Sequence, residues 1–492
     1  MIIEMKKLLL LALLISTFGF ASAQEKSLKA YFSYAGFLIP DQGPFVETYL
    51  AVEGKSVVFA QKNDNDYQAS IEVVMIFRQK DEIKNFAKYE LHSPVVNDTL
   101  KTNFGFIDQQ RFSLPNGEYD LEIKITDVNS SKPGFNTFEK ISLNFSNDSI
   151  QMSGIQLVEE YNKTTNENML SKSGYDLVPM VYAFYPESAN LLNFYCEVYH
   201  TDKVLGVDKP FMVNYYIESF ENSKRMLEYF TRKKMITAPA AILLQKMDIS
   251  KLPSGNYRLV IEVRNAQNKL EAINKIFFQR SNPNVEVNLG DIASVNINNT
   301  FASKITQIDT LKNCLLCLSP ISTEAERNFA YSLITSGDVN YMQKYLYNFW
   351  YNRNNLNPTL EWEKYYNEVK KVNAAYKTPT KKGFQTDRGR VYLKYGPPNL
   401  LTESYNEPGA YPYEIWQYYT LEDQRNKRFV FYSKDMVTND FVLIHSDAIG
   451  ELSNYRWQLD IYKRTWDPSS VDDIKPEDTW GNKATDYYKH PR

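Results

Sequence analysis

One pattern, Leu-Pro-x-Gly-x-Tyr, occurs twice and limits what the first half of this chain can be. Ser113 to Ile125 reads S-L-P-N-G-E-Y-D-L-E-I-K-I, and Ser250 to Val263 reads S-K-L-P-S-G-N-Y-R-L-V-I-E-V. The copies begin at Leu114 and Leu252, an offset of 138 residues. Proline presets φ for a turn, and glycine supplies a conformation that other residues resist. The tyrosine then opens a run that alternates polar with apolar residues, the period of a half-buried strand. Two copies of a turn-plus-strand unit predict two similar β-domains, 24–150 and 151–285.

A tyrosine at the start of a late strand resembles the tyrosine corner of immunoglobulin-like sandwiches, whose hydroxyl bonds back to the chain a few residues upstream. Neighbouring segments agree. Phe45 to Val52, Ser56 to Ala60, Gln68 to Phe77 and Asp120 to Thr126 are expected strands of the first domain. Val178 to Phe184, Leu192 to Tyr199, Phe211 to Phe220 and Ala240 to Leu244 are those of the second. Aromatic residues make up 14% of the chain, mostly Tyr (36) and Phe (28), and such rings suit a pleated sheet surface.

The extreme N-terminus has the three parts of an export signal. Lys6 and Lys7 precede an apolar core from Leu8 to Phe20, and Ala21-Ser22-Ala23 forms a small-residue cleavage site. The apolar run is shorter than the roughly 20 residues needed to span a bilayer. No cysteine lies near the cleavage site. The expectation is a signal peptide at 1–23 and an exported chain, periplasmic or outer-membrane-associated, that is not a lipoprotein and has no transmembrane segment once mature. A net charge of −3 over 492 residues provides no field for nucleic acid. Of three cysteines, Cys196 lies in an apolar run, and Cys314 and Cys317 fall on or beside an apolar helical stripe. That spacing favours packing over the redox or metal role that C-x-x-C also permits.

Residues 286–304 lack periodicity and read as a linker. From 305 the pattern turns helical. Thr323 and Glu326 form a capping box, Asn340 to Trp350 continues the helical period, and Pro358 opens a third helix to Tyr376. Arg390 to Tyr395, Tyr413 to Tyr419, Arg428 to Ser433 and Asp440 to His445 then read as four strands of an antiparallel meander. Helices followed by strands predict an α+β domain over 305–465, with 466–492 as a flexible tail.

The chain lacks the G-x-S-x-G, H-E-x-x-H, phosphate-loop and dinucleotide motifs. His92, His200, His445 and His490 are scattered, so no metal or cofactor is expected. The densest stretch is Lys382 to Pro398. On a structural reading, Gly383 adopts a glycine-only conformation, Thr386 and Asp387 bond local amides, and Gly389 lets a strand start against another backbone. Arg388 or Arg390 pairs with Asp387 or a helix carboxylate, and Gly396-Pro397-Pro398 stops the strand. On a binding reading, Asp387, Arg388, Arg390, Tyr392 and Trp416 converge on a cleft that grips a carboxylate or phosphate.

Trp350, the helix Asn357 to Tyr376, Gly383-Phe384-Gln385-Thr386-Asp387-Arg388-Gly389-Arg390-Val391-Tyr392, Tyr395-Gly396-Pro397-Pro398 and Tyr413-Glu414-Ile415-Trp416 together resemble the GWxTD-domain family. This family comprises exported proteins found largely in Bacteroidota. The resemblance covers about 300–450, and Phe384 stands in the tryptophan position of the signature. It implies that Gly383, Phe384, Thr386, Asp387, Gly389, Tyr395, Gly396 and Pro397 are motif positions, and it brings no established activity. The expected function is a non-enzymatic cell-envelope scaffold with protein partners, in outer-membrane assembly, secretion or surface display. The alternatives are a glycan-, peptidoglycan- or peptide-binding module at Arg388/Arg390, and a carboxylate-based hydrolase.

Overall fold

A computed structural model describes residues 28–462 and 483–490, apart from Asp64, Asp81, Lys132, Pro133, Asn284, residues 286–291, Pro408, Asp423, Met436 and Tyr455. The expected signal peptide lies outside the described residues. The chain is mostly β-structure in several sheets.

The first nine strands are β1 (Ala30–Ile39), β2 (Gly43–Glu53), β3 (Ala60–Asn63), β4 (Asp66–Gln68), β5 (Ser70–Gln79), β6 (Glu82–His92), β7 (Gly105–Ser113), β8 (Gly117–Asp127) and β9 (Phe135–Leu143). They form a three-stranded sheet, β1-β2-β7, and a four-stranded sheet, β6-β5-β8-β9, with β3-β4 as a small ribbon. The two larger sheets share one core. Val46, Leu50 and Val52 of β2 meet Ile71, Val73, Met75 and Phe77 of β5 and Leu121, Ile123 and Ile125 of β8. Every second residue of β5 is buried, as its alternation predicts.

The next eleven strands are β10 (Gln151–Met152), β11 (Gln156–Lys163), β12 (Ser171–Lys172), β13 (Tyr175–Pro179), β14 (Phe184–Tyr185), β15 (Leu191–Tyr199), β16 (Pro210–Ser219), β17 (Arg225–Ile236), β18 (Ala240–Asp248), β19 (Gly255–Arg264) and β20 (Leu270–Arg280). A short helix α1 (Thr201–Leu205) follows β15. One sheet has the order β10-β15-β11-β13-β12 with β18 also on β15, and the other runs β14-β20-β19-β16-β17. Their shared core includes Phe194, Cys196, Val198, Phe211, Val213, Ile217, Leu259, Ile261 and Val263. The repeated turn makes the same tyrosine bond in both places, although neither Gly117 nor Gly255 has the positive φ expected of it. The Tyr119 hydroxyl donates to the Pro115 carbonyl at 2.8 Å, and the Tyr257 hydroxyl to that of Pro253 at 3.0 Å.

The two sandwiches also pack on each other. Ala35, Phe37, Tyr49 and Ala51 meet Val158, Leu177, Val181 and Tyr195, so both middle sheets are covered on both faces. This explains why Val46 to Val52 is buried without a break. Inside the contact, fully buried Glu47 accepts hydrogen bonds from Tyr49 Oη and Arg111 Nε, both at 2.6 Å, and from Lys172 Nζ. Burial pushes this carboxyl up, but the Lys172 ammonium and the three donors outweigh it and hold it below the usual range. The backbone of Leu38 donates to the Tyr199 hydroxyl at 3.0 Å across the same contact.

The remaining chain is helical, then sheet. Helices α2 (Ile308–Leu316), α3 (Glu324–Ser336), α4 (Val339–Tyr351) and α5 (Pro358–Tyr376) bury Leu311, Leu346, Phe349, Trp350, Trp362 and Val369 together. The Thr323/Glu326 capping box is present in full. Cys314 and Cys317 are both buried in this core, and burial pushes the Cys314 thiol up to about 11.

Three expectations need correction. Arg390 to Tyr395 is helix, not strand: α6 (Asp387–Tyr395) starts at the Thr386 cap and stops at Gly396, which has φ +82°. The meander of β21 (Leu400–Ser404), β22 (Tyr413–Leu421), β23 (Gln424–Tyr432) and β24 (Val442–Ser446) does exist, with β21 as its first strand. The linker reading fails for its described part, because Ile292 and Ala302 are buried in the helical core. The tail reading fails for 483–490. Helix α8 (Ala484–Lys489) packs Ala484 and Tyr488 against Trp457 of α7 (Trp457–Tyr462), and Lys483 N–H donates to buried Glu407 at 3.0 Å.

Candidate functional site

The Gly383–Pro398 stretch links the helices to the meander. Gly383 does not have positive φ. It is small because a Cβ there would lie 2.1 Å from the Val372 carbonyl oxygen of α5. Likewise a Cβ on Gly389 would come within 1.9 Å of the Gly383 carbonyl oxygen. The stretch is therefore folded tightly on itself and on α5, and glycine serves close approach rather than a special dihedral. Thr386 Oγ1 accepts from the Gly389 amide at 3.1 Å and donates to the Gly383 carbonyl at 2.8 Å. Phe384 is buried in the helical core, and its amide donates to Asn373 Oδ1 at 3.2 Å. An aromatic ring fills this position through packing.

The two arginines of α6 point to different carboxylates, neither of them Asp387 nor on a helix. Arg388, 5% exposed, donates Nη1 to Glu414 Oε1 at 2.7 Å and Nη2 to the Asn439 carbonyl at 3.0 Å. Its guanidinium lies 4.2 Å from the Phe441 ring centroid and 5.2 Å from that of Tyr376. Trp416 Nε1 and the Tyr405 hydroxyl also donate to Glu414, each at 3.0 Å. Arg390 grips Glu451 with Nη1 at 3.2 Å and Nη2 at 2.8 Å, while Lys394 Nζ and the Tyr395 hydroxyl each reach the same carboxylate at 2.8 Å. Burial acts to raise the Glu451 carboxyl, yet Arg390 and Lys394 bring it down to about 2. Asp387 Oδ2 accepts the Leu443 amide of β24 at 2.8 Å.

The five residues read as a binding set are thus distributed rather than convergent. Arg388 and Trp416 share the buried Glu414. Arg390 turns to Glu451, and Tyr392 reaches Glu368 on α5 at 3.2 Å. Asp387 ties the helix to the sheet. Of the remaining motif residues, Gly396 accepts from the Tyr418 hydroxyl at 2.8 Å, and Pro397 is exposed. A shallow open depression beside Tyr392 is lined by Lys364, Tyr365, Asn367, Glu368 and Lys371. Among the described residues no group of three or more His, Cys, Asp or Glu is placed to hold a metal, and no helix is long and apolar enough to cross a membrane.

Sequence reasoning missed the two acceptor carboxylates. Glu414 left a trace: a lone acid inside the apolar strand Tyr413-Glu414-Ile415-Trp416 requires a buried donor. Glu451, in the loop after β24, left none. The motif helix also contacts the second sandwich. Lys394 Nζ lies 5.8 Å from the Phe220 ring centroid, and Phe220 packs 4.9 Å from Phe277 beneath Gly450. Buried Arg258 of β19 pairs with Glu422 in the β22–β23 turn.

The family model of the GWxTD domain matches residues 288–458. None of the curated proteins compared matches the chain. Among solved structures, similarity is found to the fibronectin(III)-like modules of Clostridium thermocellum CbhA (10% identity, TM-score 0.14, covering 48% of this chain and 85% of that one). It is also found to trypsin-activated alpha-2-macroglobulin from Escherichia coli (10% identity, TM-score 0.16, 52% of this chain and 17% of that one). A third is a glycosyl hydrolase family 2 member from Bacteroides cellulosilyticus (10% identity, TM-score 0.17, 47% of this chain and 28% of that one). Residues 288–458, which hold the capped helix, its two ion-paired arginines and the meander beneath them, are a GWxTD domain.

Proposed function

We propose that this chain is a non-enzymatic scaffold of the bacterial cell envelope. Two tandem immunoglobulin-like domains, 24–150 and 151–285, would support the α+β GWxTD domain and present it to a protein partner in outer-membrane assembly, secretion or surface display. The observation that carries this reading is the internal use of the motif's charge: Arg388 is committed to Glu414, and Arg390 to Glu451. A motif whose cations are held by its own carboxylates builds a platform, and recognition is left to the surfaces that the platform carries. Export through the 1–23 segment into the periplasm of a member of the Bacteroidota belongs to the same proposal.

The test is in-cell crosslinking of the tagged full chain, followed by purification from envelope extracts. A partner recovered in stoichiometric amount supports the scaffold. Recovery of the bait alone, under gentle conditions and after crosslinking, overturns it.

A further inference from the structure

The outward face of the β14-β20-β19-β16-β17 sheet carries an excess of cations. Strand register puts Asn214, Arg232 and Glu262 in one row and Met212, Lys234 and Arg264 in the next. Glu262, nearly buried, receives Arg264 Nε at 2.8 Å, the Tyr216 hydroxyl at 2.9 Å and Arg225 Nη2 at 3.4 Å. The Arg225 guanidinium also lies 3.9 Å from the Tyr216 ring centroid. Arg232 and Lys234 are different. Both are exposed, Arg232 reaches the Asn214 amide oxygen at 3.1 Å and lies 5.9 Å from the Phe230 ring centroid, and neither has an ion-pair partner among the described residues.

These two free cations lie on β17, a twelve-residue strand at the end of its sheet. Among the described residues β17 pairs only with β16, so its other edge presents unpaired backbone. Leu227, 80% exposed, and Ile236, 54% exposed, stand near its two ends as uncovered apolar contacts. An open backbone edge, unpaired positive charge beside it and apolar contacts near both ends fit one kind of occupant. We propose that β17 receives an acidic extended segment of a partner protein by strand addition. Backbone hydrogen bonds would supply affinity, and carboxylates set against Arg232 and Lys234 would supply selection. This deepens the scaffold reading and rests on it, since it names the surface and the chemistry of the partner.

The probe is a fluorescein-labelled peptide of alternating glutamate and threonine, titrated into the full chain at low salt. Saturable binding, weakened at least tenfold in R232E/K234E with an unchanged melting temperature, supports the proposal. Should the double variant lose its fold, K234E alone must show weakening in the same direction. Three results overturn it. The peptide fails to bind, which makes the cations guards against edge pairing. An equally charged peptide with proline at alternate positions binds as well, which makes the contact charge alone. Or vesicles containing phosphatidylglycerol bind in place of the peptide. Repeating the in-cell crosslinking with R232E/K234E separates this inference from the scaffold: a partner retained by that variant leaves the scaffold standing and removes the role of β17.

Discussion

Glu47 and Glu414 are both withdrawn from water, but they are neutralised in different ways. Glu47 lies between two sandwiches and is met by Lys172, Arg111 and Tyr49, donors from three strands of both sheet pairs. Glu414 lies inside the GWxTD domain and has, among the described residues, one cation, Arg388, assisted by Tyr405 and Trp416. The first arrangement is redundant and joins parts of the fold that are distant in sequence. The second depends on a single guanidinium, held between aromatic rings two residues after the cap. A charge with one counter-ion is the more vulnerable, because removing the partner leaves it buried and uncompensated.

The largest expected effect breaks the Glu414 arrangement. Arg388→Ala should lose about 3–5 kcal/mol, the range for a buried pair deprived of one member. Urea unfolding monitored by tryptophan fluorescence would measure this, and a loss under about 1 kcal/mol would show Glu414 to be solvated instead. Lys172→Ala should cost less, about 1.5–3 kcal/mol, since Arg111 and Tyr49 remain on Glu47. Equal losses for the two variants would refute the redundancy argument. Gly389→Ala should cost about 1–3 kcal/mol through backbone displacement, read as a lower urea midpoint.

Acid should separate the C-terminal end of the GWxTD domain from the sandwich contact. His445 accepts from the Asn454 amide at 3.1 Å and bonds Tyr488 at 2.9 Å, and its ring lies 6.0 Å from that of Trp457, nearly parallel to it. Burial, helped by Arg428, brings its imidazole down to about 3. The unfolded chain therefore takes up a proton below the ordinary value of 6.5 that the folded chain refuses, so stability falls as pH drops from 6.5 towards 3. Glu451 adds a loss of the same sign between 4.5 and about 2, where its folded form stays ionised longer than the unfolded one. Lowering pH should loosen α8 before Glu47 is affected, and amide exchange of 484–489 between pH 7 and 4 would report it. Protection unchanged over that range would remove His445 from the account. The smallest effects belong to the repeated turn, where Tyr119→Phe and Tyr257→Phe should each cost about 0.5–1.5 kcal/mol. Thermal melts of the two variants would test whether the copies are equivalent.

The sandwiches were readable because Leu-Pro-x-Gly-x-Tyr combines turn chemistry with a strand of period two, and both signals are local. The capping box at Thr323 was readable for the same reason. Strands β6 and β17 were harder to read, because edge strands with exposed Phe86 or Leu227 lack a clean polar face. Helix α6 was misread because Val391-Tyr392-Leu393-Lys394-Tyr395 alternates over five residues. Only the flanking Thr386 cap and Gly396 stop decide for helix, whereas the sequence reading takes Thr386 as bonding local amides and Gly396 as ending a strand. The carboxylate partners were out of reach because Arg388 to Glu414 and Arg390 to Glu451 are tertiary choices made across 26 and 61 residues.

The burial of Glu47 has a consequence for synthesis. Its counter-ion Lys172 lies 125 residues further along the chain, so at 5–20 residues per second the ribosome delivers it roughly 6–25 s later. During that interval the outward face of β2 carries Phe45, Tyr49 and Ala51 without their cover. A hydrated carboxylate in the middle of that face opposes premature association between nascent chains. The same group becomes an interior anchor once Lys172 arrives, so one residue guards the unfinished molecule and then locks the finished one.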